Sequence, residues 1–243
     1  LWILLLLILY FSQASETFHR ADNLLEIARS SVLNAVLVLG LTWIVASGEI
    51  DVTFPDIAAL SSMIVAYCVT NGYSWAVAIP VALVVCALYG LLSGVLINVF
   101  KFRSLIATIG VATLAKSTAY FIGKGSPIYL NRIDPSVDYV VYGKVAGIPV
   151  LVILVTGVFL VAHFLQNSTK LGQYLYALGE NRQAALEAGI SEKKIMYSFF
   201  ILSAVLAAAA GVLLVATFTS GQPNYQGTYF VDGLTAVFLG AMV

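Results

Sequence analysis

The chain has 243 residues, of which 60% are hydrophobic and only 10% charged; twelve Lys and Arg balance twelve Asp and Glu. An ordinary soluble domain carries about 25% charged residues, so this composition, with a mean hydropathy of +0.96, excludes a soluble fold. Zero net charge offers no basic footprint for nucleic acid. Lipid is the solvent that makes so much apolar surface harmless. Cys68 and Cys86 both lie inside apolar runs and read as small packed residues rather than a disulfide or ligands. With His19 and His163 as the only histidines, no metal site is expected.

A membrane span needs about 20 mostly apolar residues. In chain order the candidates are Leu1–Ala14, Val32–Ser47, Ile57–Val69, Ala76–Phe100, Leu105–Ile122, Ile148–Leu165 and Ile195–Phe218, with a last one from about Tyr229. The expected fold is therefore an all-α, polytopic transmembrane helical bundle. The opening run lacks the basic flank and cleavage site of a signal peptide and reads as the end of a first span. The chain opens and closes inside apolar runs, so residues 1–243 read as one transmembrane domain, incomplete at both ends.

Two interruptions stand out. Val32–Ser47 and Ile57–Val69 are short and flank the polar segment Gly48–Asp56; together they read as one broken element. A second break, Ser220–Gly227, precedes the last run. Polar backbone at membrane depth is tolerated where it is buried in protein or lines a wet cavity, and paired breaks point to a solute path; ordinary surface turns are the plain alternative. Ala82, Cys86, Gly90, Gly94 and Asn98 recur every four residues, a small-residue ridge that lets another helix approach closely. Lys and Arg divide six against five between the two sides, which does not orient the chain.

The most informative stretch is the polar run Lys170–Ile190. Asn181 can cap a short helix, Gly189 suits the left-handed residue that ends one, and the Ala- and Leu-rich residues between favour helix. A short helix with small residues on a membrane surface suggests a docked partner. The run resembles the cytoplasmic coupling loop of bacterial ABC-transporter permeases of the ribose/galactose/xylose type, which reads G-R-x-x-Y-A-x-G-x-N-x-x-A-A-x-x-x-G-I. Gly172, Tyr176, Ala177, Gly179, Asn181, Ala184, Ala185, Gly189 and Ile190 match in register; Gln173 replaces the Arg and Glu180 a Gly. Gly48-Glu49-Ile50-Asp51-Val52-Thr53 resembles that family's G-G-I-D-L-S segment, with Phe54-Pro55 in place of Val-Gly. Asn98 with Ile106–Gly110, Ser203–Gly211, and Gln222-Pro223 through Asp232 to Gly240 resemble further segments in the same order.

The resemblance implies a permease of the bacterial cytoplasmic (inner) membrane. It also implies two cytoplasmic ATP-binding subunits, a second permease subunit (the same chain or a different one) and an external or periplasmic solute-binding protein. The Lys170–Lys194 loop is then cytoplasmic, and Gly179, Glu180, Asn181, Ala184, Ala185 and Gly189 are the expected ATPase-coupling residues. Glu49, Asp51, Asn98, Gln222, Asn224 and Asp232 are the expected broken-helix or translocation-path residues. Charge at mid-bilayer costs roughly 2.5–3.5 kcal/mol on insertion scales, so buried ionisable groups need a reason. Asp51 and Asp232 fit helix capping and path lining equally, Glu49 and Asp56 fit the rim, and Lys116 can snorkel.

The chain lacks the GxxxxGK[ST] phosphate loop, GxSxG elbow and HExxH motif, so no catalytic residue is expected. No cofactor is expected in this chain; ATP and Mg belong to the partner ATPase. A sugar importer subunit is the reading the loop favours. An ion-gradient-driven secondary transporter or channel would share the broken helices but has no use for a capped coupling helix, and an intramembrane enzyme would need a His/Asp/Ser constellation inside the spans.

Overall fold

The structure is a computed structural model and describes residues 2–241. Its elements in chain order are α1 (Trp2–Ala14), α2 (Ala21–Ala46), α3 (Phe54–Thr70), α4 (Trp75–Asn98) and α5 (Ser104–Ile122). There follow β1 (Ile128–Tyr129), α6 (Pro135–Tyr142), β2 (Lys144–Val145), β3 (Ile148–Pro149) and α7 (Val150–Ser168). The chain closes with α8 (Lys170–Glu180), α9 (Arg182–Glu187), α10 (Glu192–Phe218), β4 (Ser220–Gly221) and α11 (Gln226–Ala241). Among the described residues five helices, α2, α4, α5, α7 and α10, are long and apolar enough to cross a membrane. The fold is the expected all-α polytopic bundle.

One expectation is corrected at once: the run taken to start at Val32 is part of a full-length helix. α2 extends down to Ala21 because its polar first turns find partners. Glu26 accepts a hydrogen bond from Arg29 at 3.1 Å, and the Arg29 guanidinium lies 5.5 Å from the Tyr142 ring centroid. At 1.5 Å per residue its 26 residues exceed the roughly 30 Å hydrocarbon thickness.

α3 is the interior helix. All thirteen residues from Phe54 to Ala66 are buried, as expected of a helix apolar on every side. Its small residues admit α10 at backbone contact: a Cβ added to Gly211 would lie 2.2 Å from the Ala58 carbonyl oxygen, and Ser61 Oγ donates to the Ala208 carbonyl at 2.7 Å. α10 in turn receives α4. The ridge Ala82, Cys86, Gly90, Gly94, Asn98 is buried throughout. A Cβ on Gly90 would meet the Phe200 carbonyl oxygen at 2.5 Å and Ala204 Cβ at 2.7 Å, whereas one on Gly94 would meet the Tyr197 ring at 2.8 Å. Cys86 Sγ lies 3.7 Å from the Ile57 carbonyl oxygen, and both cysteines are free thiols, Cys68 only half-buried.

Between α5 and α7 the chain is structured rather than an open loop. α6 is capped by Asp134, which accepts from the Ser136 amide at 2.9 Å and is held below the usual carboxylate range by Ser136. Tyr142 Oη donates to the Thr217 carbonyl at 2.8 Å, pinning α6 over the far end of α10. β1 pairs with β4 and β2 with β3, both antiparallel.

The ridge generates a graded expectation. The backbone carbonyl facing Gly90 cannot give, so Gly90→Ala should destabilise by about 1–3 kcal/mol despite its better helix propensity. Gly94→Ala meets a ring that can rotate and should cost less than about 1 kcal/mol. Thermal unfolding of the purified protein in detergent measures both; equal and negligible losses would contradict the close α4–α10 seat.

Candidate functional site

The Lys170–Ile190 region is a helical hairpin, not a loop with one short helix. Thr169 caps α8, accepting from the Gly172 amide at 3.3 Å. Asn181 closes α8 and opens α9: its amide donates to the Ala177 carbonyl at 3.1 Å, and its side chain accepts from the Ala184 amide at 3.0 Å. Gly189 ends the turn at φ +81°, a conformation that favours glycine. Gly179 and Glu180 therefore belong to α8, and α9 is only six residues long. Gly179 seats the hairpin on the bundle, since a Cβ there would stand 2.0 Å from the Ala46 carbonyl oxygen at the end of α2.

The expected docking face is corrected in one respect. Ala184 is exposed, but Ala185 is 5% exposed and packs inward with Leu175, Leu178 and Ile195. The apolar residue offered outward by α9 is Leu186, 46% exposed.

The first break lies against this hairpin. α2 ends at Ala46, Gly48 turns at φ +79°, and the segment re-enters the bundle to start α3 at Phe54. Pro55 occupies the first turn of α3, where its missing N–H costs nothing. Asp51, 1% exposed, organises the turn. Its Oδ1 accepts from the Thr53 amide at 2.8 Å and from Thr53 Oγ1 at 2.6 Å, and its Oδ2 accepts from Ser203 Oγ on α10 at 3.2 Å. The next segment is tied too: the Ile50 amide donates to Ser104 Oγ at 3.1 Å. Asp51 thus caps a helix that begins inside protein.

Arg182, the first residue of α9, joins three elements. Its Nη1 donates to Glu49 Oε1 at 3.0 Å, and its Nη2 donates to Glu192 Oε1 at the start of α10. The hydrogen bond to Glu192 holds the guanidinium above its already high value. The sequence reading passed over Arg182. The available signal was its position, because a cation at a helix N-terminus opposes the macrodipole and needs another reason to be there.

The remaining path residues do not converge. Asp56 is no rim residue; it is 1% exposed, in the first turn of α3, with the positive charge of half-buried Lys116 within electrostatic reach. Asn98 is 1% exposed and its Nδ2 donates back to the Gly94 carbonyl at 2.9 Å. The second break is real but shorter than expected. Thr219 takes a left-handed conformation at φ +52°, and Gln222 meets the middle of α3, its amide 3.2 Å from Ser62 Oγ. Asn224 is exposed, and Asp232 is exposed inside α11; Asp232 caps no break.

A bundle of membrane-length helices with an amphipathic hairpin clamped to one end fits a membrane transport subunit. The chain belongs to the permease family described as branched-chain amino acid transport system / permease component, which matches residues 23–243. It is a multi-pass cytoplasmic-membrane permease of the ABC sugar-importer class. It is 32% identical to the ribose import permease protein of Haemophilus influenzae and 30% identical to that of Escherichia coli K12. Each match covers 98% of this chain and 74% of the relative. It is 26% identical to the L-arabinose transport system permease protein of Escherichia coli K12, over 86% of this chain and 63% of the relative. No solved structure matches it significantly.

The Asp51 turn gives a direct expectation. Asp51→Ala leaves three buried donors without their acceptor and should cost about 2–4 kcal/mol, while Asp51→Asn keeps the Oδ1 contacts and should cost about 1 kcal/mol. Unfolding midpoints of the two variants in detergent measure the difference; no loss in Asp51→Ala would show that the turn does not depend on the cap.

Proposed function

We propose that this permease carries a monosaccharide or a similar small polar solute inward by alternating access, powered by cytoplasmic ATP-binding subunits that dock on α9. A second permease subunit would complete the path, and an external solute-binding protein would deliver the solute. The observation that carries the reading is the Arg182 bridge. One side chain ties the outward-facing α9 to Glu49 in the first break and to Glu192 at the base of α10.

A push on α9 would not be absorbed locally. α8 and α9 share Asn181 as a common cap, and Gly179 rests on the last carbonyls of α2. Movement would therefore pass to the Gly48–Thr53 segment that leads into α3 and to α10, which packs against it. Because packed interiors switch between discrete arrangements rather than deform smoothly, the bundle would rock between two openings. The ribose and L-arabinose names of its relatives support a sugar as cargo.

Solute recognition would rest on weak, scattered polar contacts, since tight binding in the path would oppose release. Asp51 is spent on Thr53 and Ser203, which leaves it little to read a sugar with. Selectivity would then belong to the binding protein.

Two measurements test this. Ala184→Arg and Leu186→Glu should lower solute-stimulated ATP hydrolysis of the assembled transporter at least about tenfold while insertion and folding are kept, because burying an unpaired charge in the docking groove costs more than about 1.4 kcal/mol. Ala185→Arg should instead damage the permease itself, since Ala185 is buried in its own chain. Unchanged stimulation in both surface variants would remove α9 as the coupling element. Separately, Asp51→Asn and Asp232→Asn should leave the ranking of a sugar panel unaltered when uptake is normalised to assembled complex; a changed ranking would show that these carboxyl groups read the solute.

A further inference from the structure

Three hollows lie along one face of α10. The first, about 490 Å³, sits at the hairpin end between α8 and α10, where Lys170, Tyr174, Ser191 and Lys194 line it. The second, about 510 Å³, lies between α7 and α10 and is walled by aliphatic side chains and Trp43, among them Leu165, Val161, Leu202 and Leu206. The third, about 170 Å³, continues past Leu206 and Leu154 and is wholly apolar. On α10 the residues Lys194, Ser198, Leu202 and Leu206 recur every four positions, which sets them on one helix face. The hollows thus follow one another along α10: a cationic mouth at the hairpin end, then two apolar hollows that share Leu154, Val158 and Leu206 and form one apolar channel.

The chemistry of the mouth is one-sided. No acidic residue lines it. Lys170 and Lys194 enter no ion pair among the described residues, while the nearby Glu192 is turned to Arg182. The channel is lined on α7 by the run from Leu154 to Leu165, roughly 16 Å of apolar wall. Its depth suits one leaflet: Leu206 stands twelve residues, about 18 Å, beyond Lys194, and half the hydrocarbon core is about 15 Å.

We infer that this groove binds an anionic phospholipid, with its headgroup phosphate between Lys170 and Lys194 and an acyl chain laid along α10 past Trp43. A lysine near a membrane surface favours anionic lipid about fivefold, so the pair gives the site a preference that the apolar channel alone would lack. The lipid would wedge α7 and α10 at the base of the hairpin. The inference does not depend on which solute is carried.

The test uses the assembled transporter in nanodiscs containing either phosphatidylglycerol or phosphatidylcholine with brominated acyl chains. The readout is the quenching of Trp43, taken as the difference from Trp43→Phe. Phosphatidylglycerol is expected to quench at least about fivefold more effectively, and Lys170→Gln with Lys194→Gln should bring the two lipids level. Gly157→Phe points into open space on α7 and should fill the channel, lowering quenching by both lipids without disturbing the fold. Equal quenching by the two lipids in the native transporter, or a preference that survives the double lysine change, would overturn the assignment. So would a preference seen in the permease alone and lost on assembly, which would assign the cationic mouth to the ATP-binding subunits.

Discussion

The rest of this structure depends on starting a helix inside protein. An α-helix presents four amide groups without intrahelical partners at its N-terminus, and away from water each costs free energy unless it is met. α3 begins in such a place. Asp51 meets part of the need by accepting from the amide and hydroxyl of Thr53, the residue that precedes α3, and Pro55 removes one donor from the first turn. The same carboxyl group accepts from Ser203 on α10. Capping the interior helix and fastening it to its main neighbour are thus one interaction.

Once α3 is placed, the neighbours follow from side-chain size. In a membrane the apolar solvent gives helices little hydrophobic reason to associate, so close packing of small residues and a few polar contacts do the holding. α3, α4 and α10 supply them in layers: Ala58 and Ser61 against Gly211 and Ala208, then Gly90 against Phe200 and Ala204. Each glycine faces a particular backbone carbonyl at a distance that admits no side chain, so these contacts fix the register of the helices. The Asp51–Ser203 and Ser61–Ala208 hydrogen bonds add polar ties at two heights along α10.

Much of this was legible in the sequence. Hydropathy placed six of the helices to within a few residues of their ends, and the period of four from Ala82 to Asn98 found the face that meets α10. Asn181 and Gly189 marked the start and the end of α9. Other features were hidden for identifiable reasons. The first turns of α2 are polar, so hydropathy stopped at Val32, while the Glu26–Arg29 pair and the Tyr142 ring that sustain them are contacts of side chains. Asp56 and Asp51 look alike in the sequence, five residues apart. Only the tertiary packing makes one a cap and sets the other beside Lys116. Ala184 and Ala185 are likewise indistinguishable by composition, and the register of α9 alone decides that one faces outward and the other inward.

Arg182 shows how a local misfit can mark a long-range role. At the first position of α9 a cation opposes the helix dipole, and a sequence tuned only for a stable short helix would place an acidic residue there. Violations of a local rule tend to fall where function or tertiary structure demands them. Here the demand is visible, because Glu49 and Glu192 approach from two different elements. Glu192 is itself well placed at the start of α10, where an acidic side chain suits the dipole, and Arg182 takes up the charge that it presents. The bridge is partly open to water, with the Arg182 side chain 52% exposed, so its static contribution to stability is small. Its value lies in geometry. A planar guanidinium with donors in a fixed fork can hold two carboxylates at set positions, so one side chain links α9 to both the first break and the base of α10.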